Sequence, residues 1–395
     1  MQPQKIFRGL KCLYGDLRFL IRRETDFYQV KPKSAILFLT YRCNSRCKTC
    51  TMWKRINKNE IEKELGLDEW KLVVDKLIVE NIKIFELFGG NVLLRKKVLI
   101  DIMKYLHKKG AIIHLATNQI GLDDEVAQNI VRYANTVYVS TDGVDEYQEK
   151  IRGIAHSGEI GKLAIQKLLH YRNLLAHNHN RVRIVCNCTV SKLNINLLES
   201  IAQYAVKMGF DEVHFEYLGE FKKADVSRSK IDHITPDPHF IEQDVSMLAN
   251  REEALKIKKS LKNIRTVFKN ESINIVTTNI DLLSIENLYK GTIPHKKCYI
   301  ERNIVTVDPY GNIVSCPFIC NYVYGNVCQK EFDRVWNKER HHFFRQAQNF
   351  NKLPMCKSCI LGIIYNNGIL KSLQRIYFER IRPRLSNVRP KKRCP

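Results

Sequence analysis

The chain has no run of 18 or more apolar residues, so its sequence offers no membrane-spanning helix. Its first residues, Met1-Gln2-Pro3-Gln4-Lys5, lead into a stretch that stays charged through Arg23, with no apolar segment or small-residue cleavage site. That is not the pattern of a secretory signal, and a cytoplasmic location is expected. Acidic residues are scarce: 41 Asp and Glu stand against 65 Lys and Arg, a formal net charge of +24. Such an imbalance asks for an anionic partner (phosphate, nucleic acid or an acidic membrane face) and says nothing of fold. No nucleic-acid-binding motif accompanies it, so no nucleic-acid partner is expected. With 44% apolar and 27% charged residues a buried core is available, and 395 residues leave room for two or three domains.

Cysteine is not scarce. There are 13, and they cluster, which in a chain without a secretory signal points to metal or redox ligands before disulfides. Cys43, Cys47 and Cys50 form the run C-N-S-R-C-K-T-C directly after the strand-like residues 35–40. Three thiolates on one tight loop suit three irons of a four-iron cluster and leave the fourth iron without a protein ligand. A structural zinc site wants four ligands in closely spaced pairs, which this triplet fits poorly.

The CxxxCxxC run after a first strand resembles the defining motif of the radical S-adenosylmethionine (SAM) superfamily. Further signals follow in the order that the family shows. Gly89, Gly90 and Asn91 stand where relatives carry Gly-Gly-Glu, which holds the SAM amino group; Asn91 keeps an amide oxygen but no charge. Ala116-Thr117-Asn118 ends a third strand, where many relatives have Thr-Asn-Gly. The stretch V-Y-V-S-T-D-G at 137–143, with Arg152-Gly153 beyond it, resembles the family's fourth strand and its turn. The resemblance implies that Gly89, Gly90, Asn91 and Thr117 help to bind SAM. It also makes Ser140 and Arg152 candidates for the SAM carboxylate and Asp142 for a polar contact at the barrel mouth. Relatives usually have an aromatic before the third cysteine; here it is Thr49, with Met52 or Trp53 as substitutes beside adenine.

The chain from 35 to about 217 alternates β-branched runs with helical periodicity. Strands are expected near 35–40, 84–88, 111–116, 136–140, 182–190 and 212–217, and helices near 68–80, 95–109, 123–134, 159–175 and 194–208. Repeated strand–helix units imply a parallel sheet with helices outside, an α/β fold. Six units match the partial (β/α)6 TIM-like barrel of the family, with every motif at a strand's carboxyl end. Alternation along the fifth strand puts Cys186 and Cys188 on the face that packs under helices, as core fillers. On the sixth it turns His214 and Glu216 toward the cavity, candidates for substrate contact or proton transfer.

Residues 236–290 read as a bridge out of the barrel, with a helix-like run at 238–262. A second cysteine set follows: Cys298, Cys316 after V-D-P-Y-G-N-I-V-S, and Cys356 and Cys359 in C-K-S-C. Pro309-Tyr310-Gly311-Asn312 is a turn between two strand-like runs, so a small hairpin-containing domain is expected at 291–365. The pattern resembles the SPASM and twitch auxiliary domains of radical SAM enzymes. The full SPASM pattern continues with cysteines where this chain has Tyr365 and Ile369, so one auxiliary four-iron cluster fits, held by the four thiols. By spacing alone a four-cysteine zinc ribbon fits nearly as well. Cys320 and Cys328 lie between the ligand pairs as substitutes; Cys12 and Cys394 look incidental.

The resemblance thus implies two 4Fe-4S clusters and SAM as cofactors. It implies reductive cleavage of SAM to a 5′-deoxyadenosyl radical and removal of a substrate hydrogen, with the auxiliary cluster accepting an electron. The first expectation is an oxidoreductase acting on a small sugar-like, phosphate-bearing or lipid-linked molecule. The alternatives are a maturase that modifies a ribosomal peptide, and an iron-sulfur electron carrier or scaffold with no catalytic activity. A reductant such as flavodoxin or ferredoxin is the expected partner.

The charge divides unevenly. Residues 1–33 carry eight Lys and Arg against three acids, and residues 366–395 nine against one, so +13 of the +24 lies in two amphipathic terminal segments, 1–34 and 366–395. Each either docks its apolar stripe on the barrel at 35–235 or attaches peripherally to an anionic membrane at the inner face.

Overall fold

The computed structural model describes residues 31–55, 61–175, 181–239, 241–242, 244–294, 297–348 and 351–365. Six parallel strands arise where the sequence alternates or runs apolar: β1 (Ser34–Phe38), β2 (Ile84–Phe88), β3 (Ile112–Thr117), β4 (Thr136–Ser140), β5 (Arg183–Val190) and β6 (Glu212–Tyr217). Helices on the outer face join them: α1 (Leu67–Val79), α2 (Lys96–Lys108), α3 (Asp124–Tyr133), the short α4 (Glu146–Arg152), α5 (Ser157–Leu174) and α6 (Leu198–Met208). The β5 alternation is as its sequence dictates. Ile184, Cys186, Cys188 and Val190 are buried under helices, while Asn187 and Thr189 face the barrel interior.

The bridge differs from its expectation. The helix expected at 238–262 begins only at α8 (Arg251–Val267), because Asn250 accepts from the Glu253 amide at 2.9 Å while Glu253 reaches back to Asn250 at 2.8 Å. Before it come α7 (Lys223–Arg228) and irregular chain; after it come β7 (Asn274–Val276), α9 (Thr278–Asp281) and α10 (Ile285–Lys290). The strand β7 extends the parallel sheet beside β6.

The auxiliary segment is a meander of β8 (Ile304–Val307), β9 (Asn312–Cys316) and β10 (Ile319–Asn326), followed by α11 (Glu339–Ala347). The expected turn at 309–312 joins β8 to β9. This meander does not hang from the barrel on a linker. Strand β8 pairs in parallel with β1, from Ser34 opposite Ile304 to Leu37 opposite Val307. The result is one ten-stranded sheet in the order β10-β9-β8-β1-β2-β3-β4-β5-β6-β7, and its ends do not meet. One apolar core runs through both parts, from Trp70 and Phe215 in the barrel to Tyr322 and Phe344 in the auxiliary segment. Among the described residues no helix is long and apolar enough to cross a membrane. The two terminal amphipathic segments lie outside the described residues, apart from 31–34.

Candidate functional site

The Cys43, Cys47 and Cys50 loop leaves the carboxyl end of β1 and is held from two sides. The amides of Arg46 and Lys48 donate to the carbonyls of Arg152 and Ile151 at the end of α4, both at 3.0 Å. The amides of Gly90 and Asn91 donate to Thr40 at 2.9 Å and Arg42 at 2.7 Å. This crossing explains the glycines. A Cβ at Gly90 would lie 2.1 Å from the Arg42 carbonyl oxygen, and one at Gly89 2.4 Å from that of Thr40, so only glycine lets the two backbones meet. Glu64 fixes the loop's entry by accepting from Arg42 and Arg95, each at 2.9 Å.

The three thiols border a cavity of about 230 Å³ at the carboxyl ends of the strands. Gly89, Gly90, Thr117, Ser140, Asp142 and Arg152 line it as well. Asn91 does not. Its oxygen accepts from the Leu93 amide at 3.1 Å, and its NH2 donates to Asn44 and to the Ile120 carbonyl at 3.0 and 2.9 Å, so the side chain is spent inside the protein. Of the two residues considered beside adenine, Met52 lines the cavity, whereas the Trp53 ring faces the outer rim of the loop.

Arg152 joins the loop to the turn after β4. Its guanidinium lies 2.9 Å from Asp142 and 3.7 Å from the Cys47 sulfur, and its buried Nε has no partner among the described residues. Asp142 also accepts from the Thr189 amide at 2.8 Å. Burial pushes the Cys50 thiol up to about 12, and the neighbouring Cys47 and Cys43 push the same way, while Arg152 opposes them. Thiols of this kind ionise when a metal takes the proton's place. Three convergent thiols beside a cation, facing a cavity, fit a four-iron cluster with one open iron.

The inner face of β6 carries Glu212, His214 and Glu216. Glu216 lines the cavity; its Oε1 is 4.0 Å from His214 Nδ1 and 3.3 Å from the Asn279 amide nitrogen. His214 lies below it, stacked on Tyr138 with centroids 6.3 Å apart. Glu86 also belongs to this interior and was missed from the sequence, although the alternation of β2 puts it on the same face as Ile84 and Phe88. Burial, and secondly the Glu216 charge, raise its carboxyl to about 7.

The second cysteine set comes together from three elements: Cys298 before β8, Cys316 at the end of β9, and Cys356 and Cys359 around the turn at Pro354–Ser358. Burial raises all four thiols, those of Cys316 and Cys359 to about 12; neighbouring thiols of the set add to the rise at Cys298, Cys356 and Cys359, and Cys320 adds to it at Cys316. Four closed thiols fit a fully ligated cluster. Among the described residues no three His, Cys, Asp or Glu groups converge as a single metal ion requires. Thiolates about 2.3 Å from one zinc stand closer together than those around a four-iron cluster. Cys328 packs at the hairpin turn against Gly311, away from the set, and the Cys320 sulfur is 3.4 Å from the Asp237 carbonyl oxygen. Cys359 and Phe318 also line the cavity, so a single cavity touches both cysteine sets.

A family model described as the Radical SAM superfamily matches residues 37–173, and one described as an iron-sulfur cluster-binding domain, SPASM, matches residues 298–360. The tungsten-containing aldehyde ferredoxin oxidoreductase cofactor-modifying protein of Pyrococcus furiosus is 23% identical over 338 residues, which cover 83% of this chain and 87% of its own. Among solved structures, Streptococcus suis SuiB bound to S-adenosylmethionine aligns with a TM-score of 0.59 at 13% identity, over 88% of this chain and 75% of its own. Native anSMEcpe with bound AdoMet aligns with a TM-score of 0.59 at 16% identity, over 90% and 99%. At these identities the structures show a shared fold.

Proposed function

We propose, from the premise that this chain is a radical SAM protein with a C-terminal SPASM domain, that it is an enzyme which modifies a peptide by removing a hydrogen atom from one of its residues. The observation that carries this reading is the single cavity bounded by both cysteine sets. A substrate held there lies between the place where a hydrogen is taken and a place where an electron is received. Peptide is favoured over the small molecule first expected because SuiB and anSMEcpe, which share the fold, are described in complex with the precursor peptide SuiA and a Cp18Cys peptide.

Cys43, Cys47 and Cys50 would hold the SAM-binding cluster, and Cys298, Cys316, Cys356 and Cys359 the auxiliary one. The chemistry that the first cluster and SAM supply when bound is one-electron cleavage of SAM to a carbon radical. The protein's own work is placement. Arg152 offsets negative charge beside Cys47, and the backbones of Gly89 and Gly90, with Thr117 and Ser140, shape the wall where the amino-acid end of SAM is expected. Leu218, Phe221, Phe318 and Ile360 give the cavity an apolar part of its lining, which lowers the polarity around a bound substrate. Glu216 Oε1 accepts the proton that leaves once the substrate radical gives up an electron, with His214 behind it.

The test is anaerobic reconstitution followed by incubation with SAM and dithionite. About eight irons per chain are expected, with 5′-deoxyadenosine formation that disappears in Cys43→Ala. Four irons and no SAM cleavage would sink the reading. A second reading, oxidation of a small molecule, is favoured by the Pyrococcus relative, which is named for modifying a cofactor. Deuterium transfer into 5′-deoxyadenosine from labelled peptide pools, but not from labelled small-molecule pools, separates the two.

A further inference from the structure

Beside the second cysteine set lies a buried carboxyl that the proposed reaction leaves unused. Glu301 follows Cys298 in the turn before β8 and is 2% exposed. Its Oε1 faces two guanidiniums, 3.5 Å from Arg302 Nε and 4.0 Å from Arg345 Nε on α11, so its charge is offset without a short hydrogen bond. Gln348, just past α11 and with its amide nitrogen turned toward them, donates to Glu301 Oε2 at 2.6 Å and to the Cys298 carbonyl at 3.1 Å. One side chain thus ties the carboxyl to the backbone of a predicted cluster ligand. The Glu301 charge reaches the set itself, where it helps to raise the thiols of Cys298 and Cys316. Burial lifts the carboxyl to about 7, against the pull of Arg302, then Arg345, with Lys297 a smaller influence. The other titratable groups that face it are fixed. Tyr324 on β10, raised by burial and then by the Glu301 charge, keeps its proton. His341 on α11, stacked on Tyr324 with centroids 4.5 Å apart, is held neutral by burial and then by Arg345 and Arg302.

We propose that Glu301 takes up a proton when the auxiliary cluster takes up an electron, which makes that cluster a better electron acceptor. The inference rests on reading the second cysteine set as an electron-accepting cluster. Negative charge added in a buried place raises the proton affinity of a carboxylate beside it, and by linkage the proton favours the electron to the same degree. In the proposed reaction the substrate radical loses one electron and the cluster gains it. One proton from solvent forms an O–H bond on the Glu301 carboxyl, while the substrate's own proton goes to Glu216.

The test is an anaerobic redox titration of the reconstituted full-length protein without SAM or substrate. The reduced auxiliary cluster is read by electron paramagnetic resonance in the wild type and in Cys43→Ala, whose signal is that cluster's alone. Above about pH 7 the midpoint potential should fall as pH rises. The slope should approach a tenfold change in the redox equilibrium per pH unit, about 59 mV for one electron. Glu301→Gln, neutral throughout, should give a potential indifferent to pH over the same range. Gln348→Leu removes a donor that favours the carboxylate, and should move the onset of the slope to higher pH. A flat wild-type potential, or a slope that Glu301→Gln retains, would overturn the proposal, as would a second set that holds zinc or no iron. If Glu301→Gln fails to hold its cluster, Gln348→Leu carries the comparison, and an unmoved onset counts against the proposal. A pH-linked potential in a protein that cleaves no SAM counts against the proposed function and leaves this inference standing; SAM cleavage with a pH-independent potential does the reverse.

Discussion

Arg152 places one guanidinium between a buried carboxylate, Asp142, and a cysteine of the triplet, Cys47. Breaking a buried pair by removing one partner costs about 3–5 kcal/mol, since the other charge is left without an answer. Arg152→Met should therefore destabilise the protein by about 3 kcal/mol in urea unfolding, and adding Asp142→Asn should recover a good part of that loss. Two additive losses would mean that the pair is not coupled. Glu86 gives a pH prediction. Its carboxyl lies at about 7 in the folded protein against an ordinary 4.5, because of burial and then Glu216. The folded state thus holds this proton more tightly. The stability that this confers is present below about pH 4.5 and is lost as pH rises through about 7. Glu86→Gln, neutral throughout, should be more stable than the wild type at pH 8, by on the order of 1–3 kcal/mol. The gap should close toward pH 5 in melting curves recorded across that range. Side-chain roles were the least legible part of the sequence. The identity of Asn91 shows that it lacks a charge, but not that its amide is spent on Leu93, Asn44 and Ile120, contacts set by chain folding back from 44 and 120.

At the scale of elements, the parallel strands were legible because each combines a β-branched run with alternation and a flanking helix. The pieces that escaped are short. Strand β7 is three half-buried residues and α4 only seven, too few for a period to show. Yet α4 matters, because the carbonyls at its end hold the cysteine loop opposite the Gly89-Gly90 crossing. Those glycines were read as SAM contacts by resemblance; the structure adds a steric reason of their own. A methyl group at Gly90 meets a backbone oxygen, not a movable side chain, so the loop must shift. Gly90→Ala should lose the triplet's iron and keep about four irons per chain at the second set, measured by iron analysis with the spectrum of the reduced protein. Loss of all eight would mean that the crossing supports the whole fold, and no loss would mean that the loop tolerates the shift.

The architecture of the whole molecule was legible as two parts in order, but not as one sheet. Cysteine spacing and turn residues mark where a second unit begins; nothing in them says which strand it pairs with. That partner is β1, the strand that delivers the triplet, so β1 has β2 on one side and β8 on the other. Val305 and Val307 of β8 are fully buried in the shared core. A chain ended at residue 296 would therefore do more than lose one cluster. It would bare the hydrogen-bonding edge of β1 and the apolar surface that β8 covers, and an unpaired flat edge is a template for association between chains. The shortened protein should sediment as large aggregates, or hold substantially fewer than the four irons of the triplet cluster, under conditions where the full chain holds both sets. A soluble fragment with a full triplet cluster would show that the barrel seals its own edge. The cysteine loop would then owe nothing to the auxiliary unit, and the shared cavity would be a meeting of two independent parts.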